Sequence, residues 1–126
     1  IPHMRRNPGP VRGRIVLMSS LQAKEGTAES GPYAAAKAGM IALAKVAAKE
    51  NAAHGILVNA VTPTVVRTPM EREITPERRR FLLDRIPMAR FAEPEEVAEL
   101  VSWLCGPGCT FSTGAVFDLS GGRATS

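Results

Sequence analysis

Three short runs of apolar residues predict strands that are buried on both faces. They occupy residues 13–18, 56–61 and 115–119. The runs are continuous rather than alternating, as in a parallel sheet covered by helices on both sides. Ser19-Ser20, Thr62-Pro63 and Gly121-Gly122 lie at their ends.

Longer segments between the runs predict helices. Residues 32–54 are rich in alanine and lack an internal proline, which favours one long helix. His54 and Gly55 suit its carboxyl end, because a cation stabilises the helix dipole there and glycine adopts the left-handed cap. Thr75-Pro76 and Glu93-Pro94 predict two further helix starts, with helices reaching about residues 85 and 105. The last helix has an apolar face of Val97, Leu100, Val101 and Leu104.

The order strand, helix, strand, helix, strand indicates an α/β fold with right-handed crossovers on a parallel sheet. We expect three strands and about three helices. Residues 1–11 contain Pro2, Pro8, Gly9 and Pro10, which predicts a loop rather than a helix. Nothing at either end of the sequence can cover the edge of the first strand, so further sequence or a partner is expected there.

Composition narrows the function classes. A chain of 126 residues with 44% hydrophobic residues is long enough for one domain with a core. It has no apolar stretch of membrane-spanning length and no secretory signal pattern, so we expect a soluble, cytoplasmic protein without a membrane partner. Cys105 and Cys109 lack partners at metal-ligand spacing, which predicts reduced thiols and no metal.

A net charge of +4 comes mostly from arginine, clustered near residues 5–14 and 78–80. Such clusters attract acidic partners. They are short and lack interleaved aromatic residues, so a solvated surface is favoured and no nucleic-acid partner is expected.

Tyr33 and Lys37 stand four residues apart at the start of the alanine-rich segment and therefore share one helix face. A phenol, whose pKa is normally about 10, is a poor acid near neutrality; a nearby ammonium stabilises the phenolate and lowers that pKa. The pair therefore has the chemistry of a proton donor. The alternative is an ordinary surface pair.

Ser20 follows the first strand, on the side where open parallel sheets hold ligands. There its hydroxyl can bond the oxygen that Tyr33 protonates. Successive side chains on a strand point in opposite directions, so only one of Ser19 and Ser20 should face the site. Loop capping is the alternative role for both.

These motifs resemble the short-chain dehydrogenase/reductase family. The serine strand and the Tyr-x-x-x-Lys helix are followed by further segments with the family's pattern. The matching segments are Gly13-Arg-Ile-Val-Leu-Met-Ser-Ser20, Tyr33-Ala-Ala-Ala-Lys37, Gly55-Ile-Leu-Val-Asn-Ala-Val-Thr-Pro63, Arg67-Thr68-Pro-Met70, residues 86–98 and residues 113–122.

The resemblance implies a Rossmann-like fold, a nicotinamide cofactor and the interconversion of a secondary alcohol and a ketone. It makes Tyr33 the general acid or base, Lys37 the group that lowers its pKa and binds the nicotinamide ribose, and Ser20 the group that positions the substrate carbonyl. Cofactor contacts fall on Tyr33, Lys37, Pro63, Val66 through its backbone, and Thr68. The family also implies a homo-oligomer, either a dimer or a tetramer.

The sequence departs from the family's pattern at several positions. Thr64 stands where the family usually has glycine, so its side chain is expected to narrow the pocket or change the backbone angle. The glycine-rich phosphate loop, the residue that selects between NAD and NADP, and the catalytic asparagine are not in the sequence.

We therefore expect residues 1–126 to form the C-terminal half of a single Rossmann-like domain, a doubly wound parallel sheet whose dinucleotide-binding N-terminal half is absent. Because a dinucleotide is held chiefly through its pyrophosphate, activity of the isolated chain is an open question. The alternative is an inactive fragment that serves only in folding or oligomerisation.

Two further alternatives concern particular residues. Residues 64–91 match the family's substrate-covering region, and its apolar residues either line a substrate site or pack the helix; they are Met70, Ile74, Phe81, Leu82 and Leu83. A hydrolase using Ser20, His54 and Asp118 is disfavoured, because no Gly-x-Ser-x-Gly turn is present and His54 is placed as a helix cap.

Overall fold

The computed structural model of the protein describes residues 1–124. In this part of the chain three parallel strands form one sheet in the order β1-β2-β3. The strands are β1 (Gly13–Met18), β2 (Ile56–Pro63) and β3 (Val116–Leu119). The predicted α/β fold is confirmed, and β1 is an edge strand as expected.

Four α-helices within residues 1–124 connect and cover the strands. They are α1 (Gln22–Glu25), α2 (Gly31–Asn51), α3 (Pro76–Leu83) and α4 (Pro94–Cys105). Single 3₁₀ turns occur at Met4–Arg6, Ala52–His54 and Pro69–Glu73. The long helix and the two proline-led helices agree with the sequence pattern, and Thr75 caps α3 by accepting a hydrogen bond from the amide of Arg78.

Two elements differ from prediction. The segment before β1 contains the 3₁₀ turn Met4–Arg6, whose Met4 side chain packs against the core below α2. The loop after Ser20 contains α1. Both are single turns, too short for hydrophobic periodicity to reveal.

The sheet has a hydrophobic core on each face. Between the sheet and α2 lie Ala44, Ala48, Ile56, Val58 and Ala60; between the sheet and α4 lie Leu57, Val61, Leu104 and Cys109. Strand β2 is central, and its residues 56–62 are all buried. The continuous apolar pattern of β2 therefore reflects burial on both faces, as predicted. No helix among residues 1–124 is long and apolar enough to cross a membrane.

The sequence pattern predicts that the long helix reaches residue 54, whereas α2 ends at Asn51 and the 3₁₀ turn Ala52–His54 extends it. Gly55 connects this turn to β2 through a left-handed conformation. Its φ of 72° and ψ of 25° are the predicted cap conformation, which favours glycine. A β-carbon at this position would overlap the carbonyl oxygen of Pro10. The loop before β1 and the end of α2 therefore meet at a point where only glycine fits.

We expect Gly55→Ala to lower the free energy of unfolding by about 2 kcal/mol or more, from left-handed strain and a backbone clash. Gly39→Ala is the matched control. A β-carbon at Gly39 meets open space within α2, so this change should stabilise by about 0.5–1 kcal/mol. Urea denaturation measures both. Equal effects of the two changes would contradict this account of the turn.

Glu96 organises the start of α4. Its carboxylate accepts hydrogen bonds from both terminal nitrogens of Arg90, at 2.9 and 2.6 Å, and from the amide of Glu93 at 2.8 Å. The Arg90 hydrogen bond first, and the Glu93 amide second, lower the pKa of Glu96 to about 2. The folded state thus favours the charged carboxylate at the positive end of the helix dipole.

Folding lowers the pKa of the Glu96 carboxyl group. Its charge therefore stabilises the folded state at pH values above the pKa that Glu96 has in the unfolded chain. This contribution should be complete above about pH 5 and should disappear as the pH falls towards 2. Glu96→Gln should therefore lower the melting temperature at neutral pH, with a difference from the wild type that shrinks on acidification. Thermal unfolding monitored by circular dichroism between these pH values measures it. A difference that stays constant would argue against the ionised Glu96 as its source.

Candidate active site

The carboxyl ends of β1 and β2 lie side by side and continue their pairing beyond β1. The amide of Ser19 donates to the carbonyl of Val61 at 2.9 Å, and the amide of Leu21 donates to that of Pro63 at 3.0 Å. Ser20 is therefore held between two ladder hydrogen bonds. This fixes its backbone at the edge of the sheet where ligands bind in open α/β folds.

Ser19 and Ser20 use their hydroxyl groups differently. Ser19 Oγ donates to the carbonyl of Lys37 at 2.7 Å, which attaches the turn to α2. Ser20 Oγ accepts from the amide of Gln22 at 3.2 Å and donates to no partner among residues 1–124. The hydroxyl of Ser20, a residue that is only 9% exposed, therefore keeps an unbonded proton within the described chain, whereas the proton of Ser19 is used within the fold.

Lys37 joins α2 to the end of β1. Its Nζ donates to the carbonyl of Met18 at 2.8 Å and lies 5.7 Å from the centre of the Tyr33 ring. The Tyr33 side chain is 51% exposed. The phenol and the ammonium thus lie beside each other at the carboxyl edge of the sheet, with the phenol open to an incoming molecule.

The end of β2 and the loop after it carry the other predicted site residues, with Pro63 as the last residue of the strand. Val66 forms a parallel bridge with Ala92, and its two neighbours make the hydrogen bonds of this bridge. The carbonyl of Val65 accepts from the amide of Ala92, and the amide of Arg67 donates to the carbonyl of Ala92. The amide and carbonyl of Val66 itself take part in no backbone hydrogen bond within the described chain. A ligand amide can therefore bond both groups. Thr68 precedes the 3₁₀ turn Pro69–Glu73 and lines a cavity of about 600 Å³.

Thr64 occupies the usual glycine position without backbone strain. Within residues 1–124, the non-glycine residues with positive φ are Glu29 and Ala89, so Thr64 keeps an ordinary backbone angle. Its amide donates to the carbonyl of Leu119 at 3.2 Å, and it lines a small cavity of about 90 Å³. A narrower pocket is therefore the predicted effect of Thr64 that is compatible with this backbone, whereas a changed backbone angle is not.

The apolar residues of the segment after β2 divide into two groups. Leu82 is buried with Ile86 and Phe91, and Ile74 and Leu83 pack against them. Met70 is 79% exposed and Phe81 is 39% exposed. Packing therefore explains the first group, while Met70 and Phe81 remain open to a ligand.

Phe81 is flanked by two arginines. The guanidinium carbon of Arg85 lies 3.5 Å from the centre of the Phe81 ring, and that of Arg78 lies 5.2 Å from it. Arg78, from the arginine cluster of residues 78–80, and Arg85 thus partly cover an aromatic side chain. In addition, Arg79 forms an ion pair with Glu71.

A hydrolase triad is incompatible with the fold. His54 lies just before β2 begins, whereas Ser20 lies beyond the end of β1. Helix α2 separates the two ends by roughly 30 Å at 1.5 Å per residue. Asp118 instead bonds Lys24 and Ser120.

No group of three or more potential metal ligands occurs in the part of the chain that the structure describes. Cys105 is exposed and Cys109 is buried, and both are free thiols.

Comparisons with known proteins identify relatives of the chain. A family model described as "Enoyl-(Acyl carrier protein) reductase" matches residues 1–124. The chain is 42% identical to short-chain dehydrogenase RED2 of Pyricularia oryzae, over 97% of this chain and 46% of the relative. It is 37% identical to a 2-dehydro-3-deoxy-L-rhamnonate dehydrogenase (NAD(+)) of Sphingomonas sp., over 90% of this chain and 45% of the relative.

The fold also matches a solved structure. The TT0495 protein of Thermus thermophilus superposes with a TM-score of 0.88 at 32% identity, covering 97% of this chain and 52% of that one. The chain thus spans about half the length of the proteins it matches.

The different bonding of the two serines leads to a stability test. Ser19→Ala removes the bond to α2 and should lower the free energy of unfolding by about 1 kcal/mol. Ser20→Ala removes only an acceptor for the amide of Gln22 and should cost about half of that or less. Urea denaturation of both variants measures the difference. A larger cost for Ser20→Ala would mean that the Ser20 hydroxyl is the structural one.

Proposed function

The chain belongs to the short-chain dehydrogenase/reductase family, a family of oxidoreductases, and on this premise we propose that it carries the proton-transfer site of an NAD(P)-dependent enzyme that interconverts a secondary alcohol and a ketone. The observation that carries the proposal is the joining of Tyr33 and Lys37 to the end of β1. Lys37 binds the carbonyl of Met18, two residues before Ser20. Proton donor, cation and free hydroxyl are thus tied to one edge of the sheet.

Each of the three side chains has a distinct role. In the reducing direction the Tyr33 hydroxyl donates its proton to the substrate oxygen, and in the oxidising direction it accepts that proton. The positive charge of Lys37 favours the phenolate left by this transfer. The Ser20 hydroxyl, which makes no donor bond in the described chain, donates to the same substrate oxygen and orients it.

The residues after β2 fit the nicotinamide end of the cofactor. Both backbone groups of Val66 are free within the described chain, which suits the donor and acceptor of a carboxamide. Pro63 and Thr68 lie on either side of it along the chain, and we assign Lys37 and Tyr33 to the ribose side. When bound, the nicotinamide supplies or accepts the hydride.

The substrate is a carbonyl compound or the matching secondary alcohol. The relative from Sphingomonas sp. is named for a 2-dehydro-3-deoxy-L-rhamnonate substrate, and the matching family model is described by an acyl-carrier-protein substrate. Met70 and Phe81, which are exposed in the segment after β2, offer apolar contacts to a substrate of either kind. The cofactor is NAD or NADP.

An assembly module without catalysis is the second candidate. Strand β1 has an unpaired edge in the described chain, and α2 exposes Leu43 and Val46, at 58% and 51%. Apolar surface of this kind favours association with another copy of the chain, as a dimer or tetramer. Such association is also compatible with the enzyme, so it distinguishes the two candidates only when cofactor binding is absent.

Titration with NADH and with NADPH, followed through energy transfer from Trp103, tests the cofactor site. Lys37→Ala should weaken binding at least about tenfold, the size expected for loss of a charged hydrogen bond. Lys49→Ala, an exposed lysine near the other end of α2, is the matched control. Tyr33→Phe should weaken binding less than Lys37→Ala, because no charge is lost, but should lower turnover of a probe ketone by about 10²–10⁴-fold.

Light scattering and circular dichroism on the same samples report association and folding. Saturable binding that depends on Lys37 supports the enzyme. A folded, self-associated chain that binds neither cofactor supports the assembly module and overturns the enzymatic proposal for this chain.

A further inference from the structure

The turn that carries Ser20 is tied to the end of the sheet by two ion pairs. Lys24 Nζ lies 3.3 Å from Asp118 Oδ1, and Arg123 Nη2 lies 3.0 Å from Glu25 Oε2. Lys24 and Glu25 are the last two residues of α1, while Asp118 is in β3. Two consecutive residues of opposite charge, Lys24 and Glu25, therefore form ion pairs with two separate residues, Asp118 and Arg123.

The burial of these pairs distinguishes them from ordinary surface pairs. The side chain of Arg123 is 8% exposed and that of Lys24 is 16% exposed. By contrast, the side chains of Arg67 and Glu93 are 60% and 44% exposed at 3.5 Å. Exposed pairs contribute little, whereas a buried cation that loses its partner is costly. The cationic members of both α1 pairs therefore depend on their carboxylates.

The strand end that receives the pairs is itself fixed by hydrogen bonds. Asp118 Oδ2 accepts from the hydroxyl and the amide of Ser120, at 2.6 and 3.2 Å. Ser120 Oγ in turn accepts from the amide of Ala124 at 3.0 Å, and Ser120 is fully buried. Each oxygen of Asp118 thus has a partner, one holding Lys24 and the other holding the chain that leads to Arg123.

Helix α1 needs such support because of its length. A four-residue helix is far below the length at which a helix is stable by itself. It begins two residues after Ser20 and ends at Glu25, which is followed by Gly26 with a φ of 63°. The residues that precede it, Ser19 to Leu21, are buried. The strand pairing holds the backbone of Ser20, while the amide of Gln22 in α1 donates to Ser20 Oγ. The direction of the Ser20 hydroxyl therefore depends on what holds α1.

The Glu25–Arg123 pair also borders an open cavity of about 380 Å³. The other lining residues are Gly26, Thr27, Phe81 and Arg85. The cavity therefore lies between the end of α1 and α3, which carries the exposed Phe81. Both members of the pair form part of its wall.

We propose that the Lys24–Asp118 and Glu25–Arg123 pairs act as one clamp that positions the Ser20 hydroxyl for the substrate oxygen. These four are positioning residues, since they act through the turn and not on the substrate. The structural part of the proposal stands on the contacts alone, and its catalytic part rests on the proposed function. Sequence reasoning missed the clamp because its partners are 94 and 98 residues apart.

Hydrogen exchange of the full chain tests the structural part. Glu25→Gln, alone and with Lys24→Gln, should accelerate exchange of the amides of residues 21–26 at least about tenfold while leaving β2 protected, as expected for local opening. Arg123→Lys keeps the charge and should retain most of the protection. Glu99→Gln, at an exposed position outside the ion pairs of residues 1–124, is the control. Wild-type exchange in the double variant overturns the clamp.

Steady-state kinetics with NADH or NADPH and ethyl acetoacetate as the probe ketone test the catalytic part. Glu25→Gln should lower kcat about tenfold with little change in KM for the cofactor, because the substrate oxygen is misplaced. Arg123→Lys, which keeps the positive charge beside Glu25, should retain most of the wild-type kcat. If Glu25→Gln accelerates hydrogen exchange of residues 21–26 but leaves kcat unchanged, the positioning role is overturned. An inactive wild type with clamp-dependent exchange would instead refute the proposed function and retain the structural clamp.

Discussion

The parallel pairing of β1 with β2 is the constraint on which the candidate site depends. Because both strands run in the same direction, their carboxyl ends meet at one edge, and the pairing continues through Ser19 and Leu21. That extension holds Ser20 in place. It also presents the carbonyl of Met18 to Lys37, which brings the first turns of α2, and Tyr33 with them, to the same edge.

The strands, the long helix and its cap could be predicted because their signals are local. Burial of β2 on both faces demands a continuous apolar run, and the left-handed turn after α2 demands the glycine at position 55. Proline at a first helical turn marked α3 and α4 in the same way. The site motif was visible for the same reason, since Tyr33 and Lys37 lie four residues apart on one helix.

The different hydrogen bonds of the Ser19 and Ser20 hydroxyls could not be predicted, because they depend on where α2 packs. The sequence shows two equivalent hydroxyls, and only the bond from Ser19 to the Lys37 carbonyl separates them. The ion pairs of α1 and the free backbone of Val66 are likewise products of tertiary contacts. Assigned roles for Tyr33, Ser20 and the residues after β2 remain proposals that rest on these contacts and on family membership.

The spacing of the paired strands also shapes how the chain reaches its native state. Gly13 pairs with Ile56, and Ala60 pairs with Val116, so neither strand pair can form until a long intervening segment has closed. Helix α2 needs no distant partner and can form first. Strand pairing is then the slow step, and during it the apolar edges of three unpaired strands are exposed to other chains. Translation rate and chaperone access thus bear directly on the yield of this protein.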